Sequence, residues 1–177
     1  MNDVKLVVSI DPGMANFGVA GISVIGDQVK LEYEQTFDIR GSHNELNVDR
    51  LKTILILVEY EVIKMEQRHR TPHLSTLWVV EYQPPLDTRN NPGLVRQNTF
   101  IEAFVQCWCI KEHYLYRKVA PAAVKNFFGF PKSSTNQYHL NKQVSKEKVR
   151  NLLGGRRVND HIADCVLNGL YGLIHSH

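Results

Sequence analysis

The feature that most constrains the fold is an apolar run that carries one acid and stops at a Pro-Gly pair, VVSIDPG at 7–13. β-Branched residues that end at such a turn predict a β-strand followed by a hairpin. Asp11 lies inside this strand, where an ionised carboxylate is costly to bury unless a cation meets it. Gly13 would let the backbone or a ligand approach that carboxylate closely. Two interpretations of Asp11 stay open: it binds a metal ion, or it only caps the turn.

The composition is that of an ordinary globular protein. The chain has 177 residues, of which 43% are hydrophobic and 22% charged, and this predicts a single domain over 1–177 with a substantial core. No apolar run approaches the length of a membrane span, and the N-terminus has no secretory pattern. Three cysteines, an odd number, favour reduced thiols. We therefore expect a soluble intracellular protein with no membrane partner.

The cations are concentrated in the second half of the chain. The net charge is only +3, but Glu147 is the only acid within 117–157. This distribution predicts a face that binds a polyanion, and the alternative is a solvated basic stretch.

Hydrophobic periodicity predicts alternating strands and helices. The predicted strands are 4–11, 16–25, 28–38, 74–81 and 114–119, and the predicted helices are 45–70, 94–113, 121–128, 146–153 and 156–174. Ser145 is predicted to cap the fourth helix, and the polar segment 129–142 is predicted to be a mobile loop. This order indicates an α/β fold with a central sheet and helices on its faces.

Three of these elements each present an acid: Asp11, Glu81 and Asp164. On the last helix, Asp160 and His161 each share a helical face with Asp164. Capping of the helix explains Asp160, but it explains Asp164 less well, because Asp164 lies among apolar residues. Converging carboxylates repel one another unless divalent cations lie between them, and such oxygen ligands suit Mg²⁺ or Mn²⁺.

These residues, in this order, resemble the RuvC-type Holliday junction resolvases of the RNase H-like (retroviral integrase) superfamily. The matching segments are SIDPGMANFGVA at 9–20, VVEYQPP at 79–85, KVAPAAVKNFFGF at 118–130, VSKEKVRNLL at 144–153 and HIAD at 161–164. The chain is also similar to the poxvirus and mitochondrial branch of that family. The resemblance implies an RNase H-like fold, with a central mixed five-stranded sheet flanked by helices.

By this resemblance Asp11, Glu81 and Asp164 are metal ligands. The fourth active-site position falls on His161 or Asp160, with His161 ranked first as a ligand or proton-transfer residue; a solvated first-turn histidine is the alternative. Phosphate-binding lysines fall on three positions, Lys142, Lys146 and Lys148. The predicted DNA-binding set adds Lys125, Arg156 and Arg157 from the same basic stretch.

The activity implied is Mg²⁺-dependent nicking of four-way DNA junctions in pairs, with Mn²⁺ as a substitute, by a homodimer without a small-molecule cofactor. The candidate interface is 94–113, where Phe100, Phe104 and Trp108 form either a core stripe or a dimer contact. One alternative is an RNase H-like nuclease of RNA–DNA hybrids or structured RNA. A second alternative is a nucleotide-binding ATPase, but such an enzyme would need further phosphate-binding glycine motifs, and Gly154-Gly155 is the only double glycine in the chain. A third alternative is a non-catalytic module that binds junctions. Such a module would bind DNA more tightly without the acids, so their presence argues against it.

Overall fold

The computed structural model describes residues 4–83, 92–131 and 137–176. Its strands are β1 (Val4–Pro12), β2 (Phe17–Ile25), β3 (Gln28–Phe37), β4 (Leu77–Glu81) and β5 (Leu115–Val119). Its helices are α1 (Val48–His69), α2 (Pro92–Lys111), α3 (Pro121–Phe127), α4 (Gln137–Leu152) and α5 (Asp160–Ile174).

The five strands form one mixed sheet in the order β3-β2-β1-β4-β5. The first three strands are antiparallel neighbours, whereas β1, β4 and β5 run parallel to one another. Each parallel step needs a long connection. Helix α1 lies in the connection from β1 to β4, and α2 lies in the connection from β4 to β5. The predicted mixed five-stranded sheet flanked by helices is therefore confirmed.

Each face of the sheet has its own apolar core. One core joins the sheet to α1 and α2, and the other joins it to α3, α4 and α5. Val7 of β1 and Val79 of β4 belong to the α5 side. Because successive side chains of a strand alternate between faces, Asp11 and Glu81 point to that same side.

Helix α5 lies close against the sheet because it has a glycine where it crosses β4. A Cβ atom at Gly172 would lie only 2.5 Å from Cγ2 of Val79. This close approach brings the polar residues of the first half of α5 within reach of the strand ends.

Helix α4 begins at Gln137, well before the predicted start at residue 146. The predicted mobile loop 129–142 is wrong over its second half, and residues 132–136 of it lie outside the described residues. Ser145 is buried inside the helix, so it is not the predicted cap. The buried residues of α4 are Ser145 and Val149 alone, so the sequence shows almost no apolar periodicity there.

Helix α5 begins at Asp160, four residues after the predicted start at 156, and the Asn159 side chain caps it by accepting the Ile162 N–H. None of the helices in the described segments is long and apolar enough to cross a membrane. The three cysteines are free thiols; Cys109 and Cys165 are buried, and Cys107 is exposed.

Candidate active site

Asp11 and Glu81 lie side by side at the carboxyl ends of two neighbouring inner strands. In the parallel pair of β1 and β4, Ile10 lies opposite Val80. The next residue of each strand is the acid, and both acids point toward α5. The register of the two strands alone thus places two carboxylates next to each other at the carboxyl end of the sheet.

The first turn of α5 completes one side of the site. Gly18 of β2 pairs with Asp11, and a Cβ atom there would lie 3.1 Å from Sγ of Cys165 and 3.5 Å from Cβ of His161. The missing side chain lets α5 lie directly over β2. As a result, Nδ1 of His161 lies 3.5 Å from Oδ2 of Asp11.

Asp164 follows His161 on α5, and α4 supplies its partners. Lys142 Nζ donates to Oδ2 of Asp164 at 2.6 Å, and the buried Ser145 hydroxyl donates to Oδ1 at 2.8 Å. Asp160 lies farther out, with its Oδ2 3.7 Å from the same ammonium. The structure therefore brings His161 to Asp11, whereas Asp160 faces Lys142.

Two side-chain amides hold the carboxylate of Glu81. Asn168 of α5 donates through Nδ2 to Oε2 at 2.8 Å, and Gln83 donates through Nε2 to Oε1 at 3.3 Å. Sequence reasoning missed both residues. Asn168 carried a usable signal, because a polar side chain within the apolar run CVLNGL, one turn after Asp164, needs a buried partner. Gln83 carried no such signal.

Three carboxylates, two lysines and one histidine share the site. Burial raises the pKa of Glu81 to about 7; the charges of Asp11 and Asp164 contribute to this rise, which the Asn168 hydrogen bond and Lys125 partly offset. The Asp11 carboxylate raises the pKa of His161 above its ordinary value, although burial opposes this rise. Both shifts indicate a place where a cation would be stabilised.

Burial by itself would lower the pKa of Lys142, but the hydrogen bond and charge of Asp164 outweigh it and leave that pKa raised. The ammonium is thus held on Asp164 as a charged group.

The donor atoms fit a hard divalent cation. Asp11, Glu81, His161 and Asp164 line one cavity of about 380 Å³, and carboxylate oxygens are the ligands that Mg²⁺ and Mn²⁺ prefer. Across 4–83, 92–131 and 137–176, no three ligating side chains are already gathered as a metal cage. Lys142 and Ser145 instead donate to the two oxygens of Asp164.

The structure separates the predicted DNA-binding cations into groups. Lys125 and Lys142 line the cavity with the acids. Arg156 points away from the cavity, because its guanidinium donates to Glu34 at 2.7 Å and to the Leu31 carbonyl at 3.2 Å. Arg156 therefore ties the turn before α5 to β3.

The other cations lie on and beside α4. Lys146 and Arg157 line a notch together with Glu147 and with Arg150, a cation outside the predicted DNA-binding set. Lys148 is half-buried and lies about 160° around the helix from Lys146 by helical geometry.

Comparison of the sequence with family models and with curated proteins finds no match. Comparison of the structure finds Thermus thermophilus RuvC in complex with Holliday junction substrate, at 17% identity and a TM-score of 0.65, over 97% of this chain and 94% of RuvC. A second structure of Thermus thermophilus RuvC gives 18% identity and a TM-score of 0.65, over 97% and 95% of the two chains. The yeast mitochondrial Holliday junction resolvase gives 14% identity and a TM-score of 0.53, over 93% of this chain and 77% of the resolvase.

This chain has the RuvC fold. The resemblance drawn from the motifs is confirmed at the level of architecture, and so is the predicted RNase H-like fold. On this fold, Asp11, Glu81, Asp164 and His161 share the cavity described above, whereas Asp160 does not line it.

The origin of the raised pKa of Glu81 is testable in metal-free protein. We expect ¹³C NMR of the side-chain carboxyl in EDTA to give a midpoint near 7. In Asp11→Asn the midpoint should fall but stay above the ordinary glutamate value, because the repulsion is removed while burial remains. The pKa of His161 should fall in the same variant, since the Asp11 charge raises it.

Asp27→Asn, an exposed acid in the β2–β3 turn, is the matched control and should move neither midpoint. An unchanged Glu81 midpoint in Asp11→Asn would show that the two carboxylates do not interact.

Proposed function

We propose that this protein is a divalent-metal-dependent endonuclease that makes paired nicks in four-way DNA junctions. The observation that carries the proposal is one cavity that gathers Asp11, Glu81, His161 and Asp164 on the fold of RuvC. One structure of Thermus thermophilus RuvC contains Holliday junction substrate.

Asp11, Glu81 and Asp164 would hold Mg²⁺, or Mn²⁺ in its place. A metal bound there would act as a Lewis acid and activate water for in-line attack on a phosphodiester. His161 is favoured over Asp160 as the fourth active-site residue, because it faces Asp11 while Asp160 faces Lys142. In its protonated form, His161 would act as a general acid that donates a proton to the leaving oxygen.

Lys125 and Lys142 would hold the scissile phosphate. Both line the cavity, and Lys142 is fixed by Asp164 rather than free in solvent. An ammonium bound in this way has remaining N–H groups for a phosphate oxygen, and its charge offsets the acids that would otherwise repel DNA.

The activity is tested by offering a synthetic four-way junction, a matched linear duplex and an RNA–DNA hybrid, each with Mg²⁺ and with EDTA. We expect paired, metal-dependent nicks in the junction alone. Asp11→Asn should abolish cutting, by at least about a hundredfold, yet keep junction affinity, because it removes a ligand without adding repulsion toward DNA.

Cutting of the hybrid alone would be consistent with the metal site but would indicate an RNase H-type activity. Tight junction binding with no cutting of any substrate would indicate a binding module. A wild-type cleavage rate in Asp11→Asn would contradict the metal-site assignment.

One duplex arm of the junction would run along α4. Lys142, Lys146 and Arg150 recur every four residues and so form a line on the helix surface. Arg157 joins that line at the notch it shares with Lys146 and Arg150. The line begins at the cavity, which is the geometry expected for a backbone that continues away from the cut phosphate.

Replacement of Lys146, Arg150 or Arg157 by Ala should weaken binding to junctions of any sequence. Each lost phosphate contact should reduce the slope of log K against log salt by about 0.9. Lys148→Ala, which changes the opposite flank of the same helix, should affect the slope less. Fluorescence anisotropy of a labelled junction between about 50 and 200 mM salt measures the affinity and its salt dependence. Equal effects of all four variants would contradict a defined path.

The protein would act as a homodimer, because paired cuts in a two-fold junction need two sites. Of the predicted aromatic stripe on α2, Phe104 and Trp108 are half-buried against the core, so this part is a core stripe. Phe100 is 49% exposed, with its ring centroid 6.2 Å from that of Phe104.

A second stripe on α2 fits a helical partner better. Phe100, Ala103, Cys107 and Ile110 are all exposed, and Ile110 is 61% exposed. Their spacing of three, four and three residues is that of a coiled-coil seam. An α2–α2 contact between two copies would cover this apolar stripe and lies within the predicted interface 94–113.

Phe100→Glu and Ile110→Glu should convert a dimer to a monomer, because each places a charge in the seam. Light scattering after size exclusion measures the mass. A short bis-maleimide should cross-link wild type through Cys107, and Cys107→Ser should prevent this, since Cys109 and Cys165 are buried. A dimer that survives both glutamate substitutions would exclude this face.

A further inference from the structure

A buried carboxylate on α2 has no part in the mechanism above. The Glu102 side chain is only 4% exposed. Its Oε1 lies 2.6 Å from Nζ of Lys118 on β5, and its Oε2 accepts the backbone N–H of Gln83 at 2.8 Å. Apolar residues can often replace a buried ion pair without loss of stability, so the contacts of Glu102 call for an explanation.

Gln83 connects Glu102 to the active site. Its backbone is held by Glu102, while its side chain donates from Nε2 to Oε1 of Glu81. Tyr82, which lies between Glu81 and Gln83 in the chain, donates its N–H to the Val119 carbonyl at 2.8 Å. The segment that follows β4 is thus fixed by β5 through the backbone and by α2 through one carboxylate.

The two oxygens of Glu81 each accept one side-chain amide, Gln83 on Oε1 and Asn168 on Oε2. Asn168 is carried by the rigid helix α5. Gln83 belongs to no helix or strand, so its position depends on Glu102 and on the neighbouring backbone bond.

We propose that Glu102 is a positioning residue that orients the Glu81 carboxylate through Gln83 and thereby sets the affinity of the site for a divalent metal ion. This inference rests on the proposed function. Outer partners that orient a metal ligand typically change metal affinity by 10- to 100-fold when removed. A charged acceptor such as Glu102, paired with Lys118, also holds an N–H more strongly than a neutral one.

The test is Mn²⁺ binding by isothermal titration calorimetry on the whole chain without DNA. We expect Glu102→Leu and Gln83→Ala each to weaken Mn²⁺ binding by about tenfold. Glu102→Gln keeps an oxygen that can accept the Gln83 N–H, so it should stay within about threefold of wild type. Because Glu102 acts through Gln83, the double variant should bind no more weakly than the weaker single variant.

Glu112→Gln is the matched control, since this carboxylate follows the same helix and pairs with Lys111; its Mn²⁺ affinity should equal that of wild type. Junction affinity in EDTA should be unchanged in all variants, and thermal denaturation identifies those that are folded. If Glu102→Leu fails to fold, Gln83→Ala and Glu102→Gln carry the test.

Wild-type Mn²⁺ affinity in a folded Glu102→Leu or in Gln83→Ala would overturn the positioning role. A different result separates the underlying proposal: Mn²⁺ binding that is absent in wild type, or unaffected by Asp11→Asn, would overturn the metal site itself and the positioning role with it.

Discussion

Repulsion between carboxylates at the carboxyl end of the sheet is the constraint on which the rest of the site depends. Asp11, Glu81 and Asp164 share a cavity, and burial with the neighbouring charges raises the pKa of Glu81 to about 7. Such an arrangement costs free energy in the folded chain unless donors or cations surround it. The structure supplies a donor for nearly every carboxylate oxygen described above. Its stability and its proposed chemistry therefore depend on the same few contacts.

Helix α5 supplies most of these groups from one surface. His161, Asp164 and Asn168 are spaced by three and four residues, so they lie on one face of the helix and meet Asp11, the cavity and Glu81 in turn. This face can approach the strands because Gly18 and Gly172 remove side chains at the two contacts. A glycine on β2 and another on α5 thus allow the helix to lie close enough to form the site.

The two faces of the sheet carry different proposed sites, and both contact the segment at the end of β4. The α5 face carries the acids, whereas α2 on the other face presents the exposed stripe proposed to join two copies. Glu102 of α2 binds the backbone just beyond Glu81. The helix proposed for dimer contact and the proposed metal site are therefore connected by two hydrogen bonds, one between Glu102 and Gln83 and one between Gln83 and Glu81.

The sequence by itself determined the order of strands and helices, the strand that bears Asp11 and the identity of the acids, because hydrophobic period and turn chemistry are local properties. It also indicated the family whose fold the structure has. Only the tertiary structure decided which neighbour each polar side chain meets. His161 rather than Asp160 faces Asp11, Arg156 is occupied by Glu34, and Ser145 binds Asp164 instead of capping a helix. These outcomes depend on the packing of elements far apart in the chain, where the distance between two side chains is set by strand register and helix approach and leaves no local pattern.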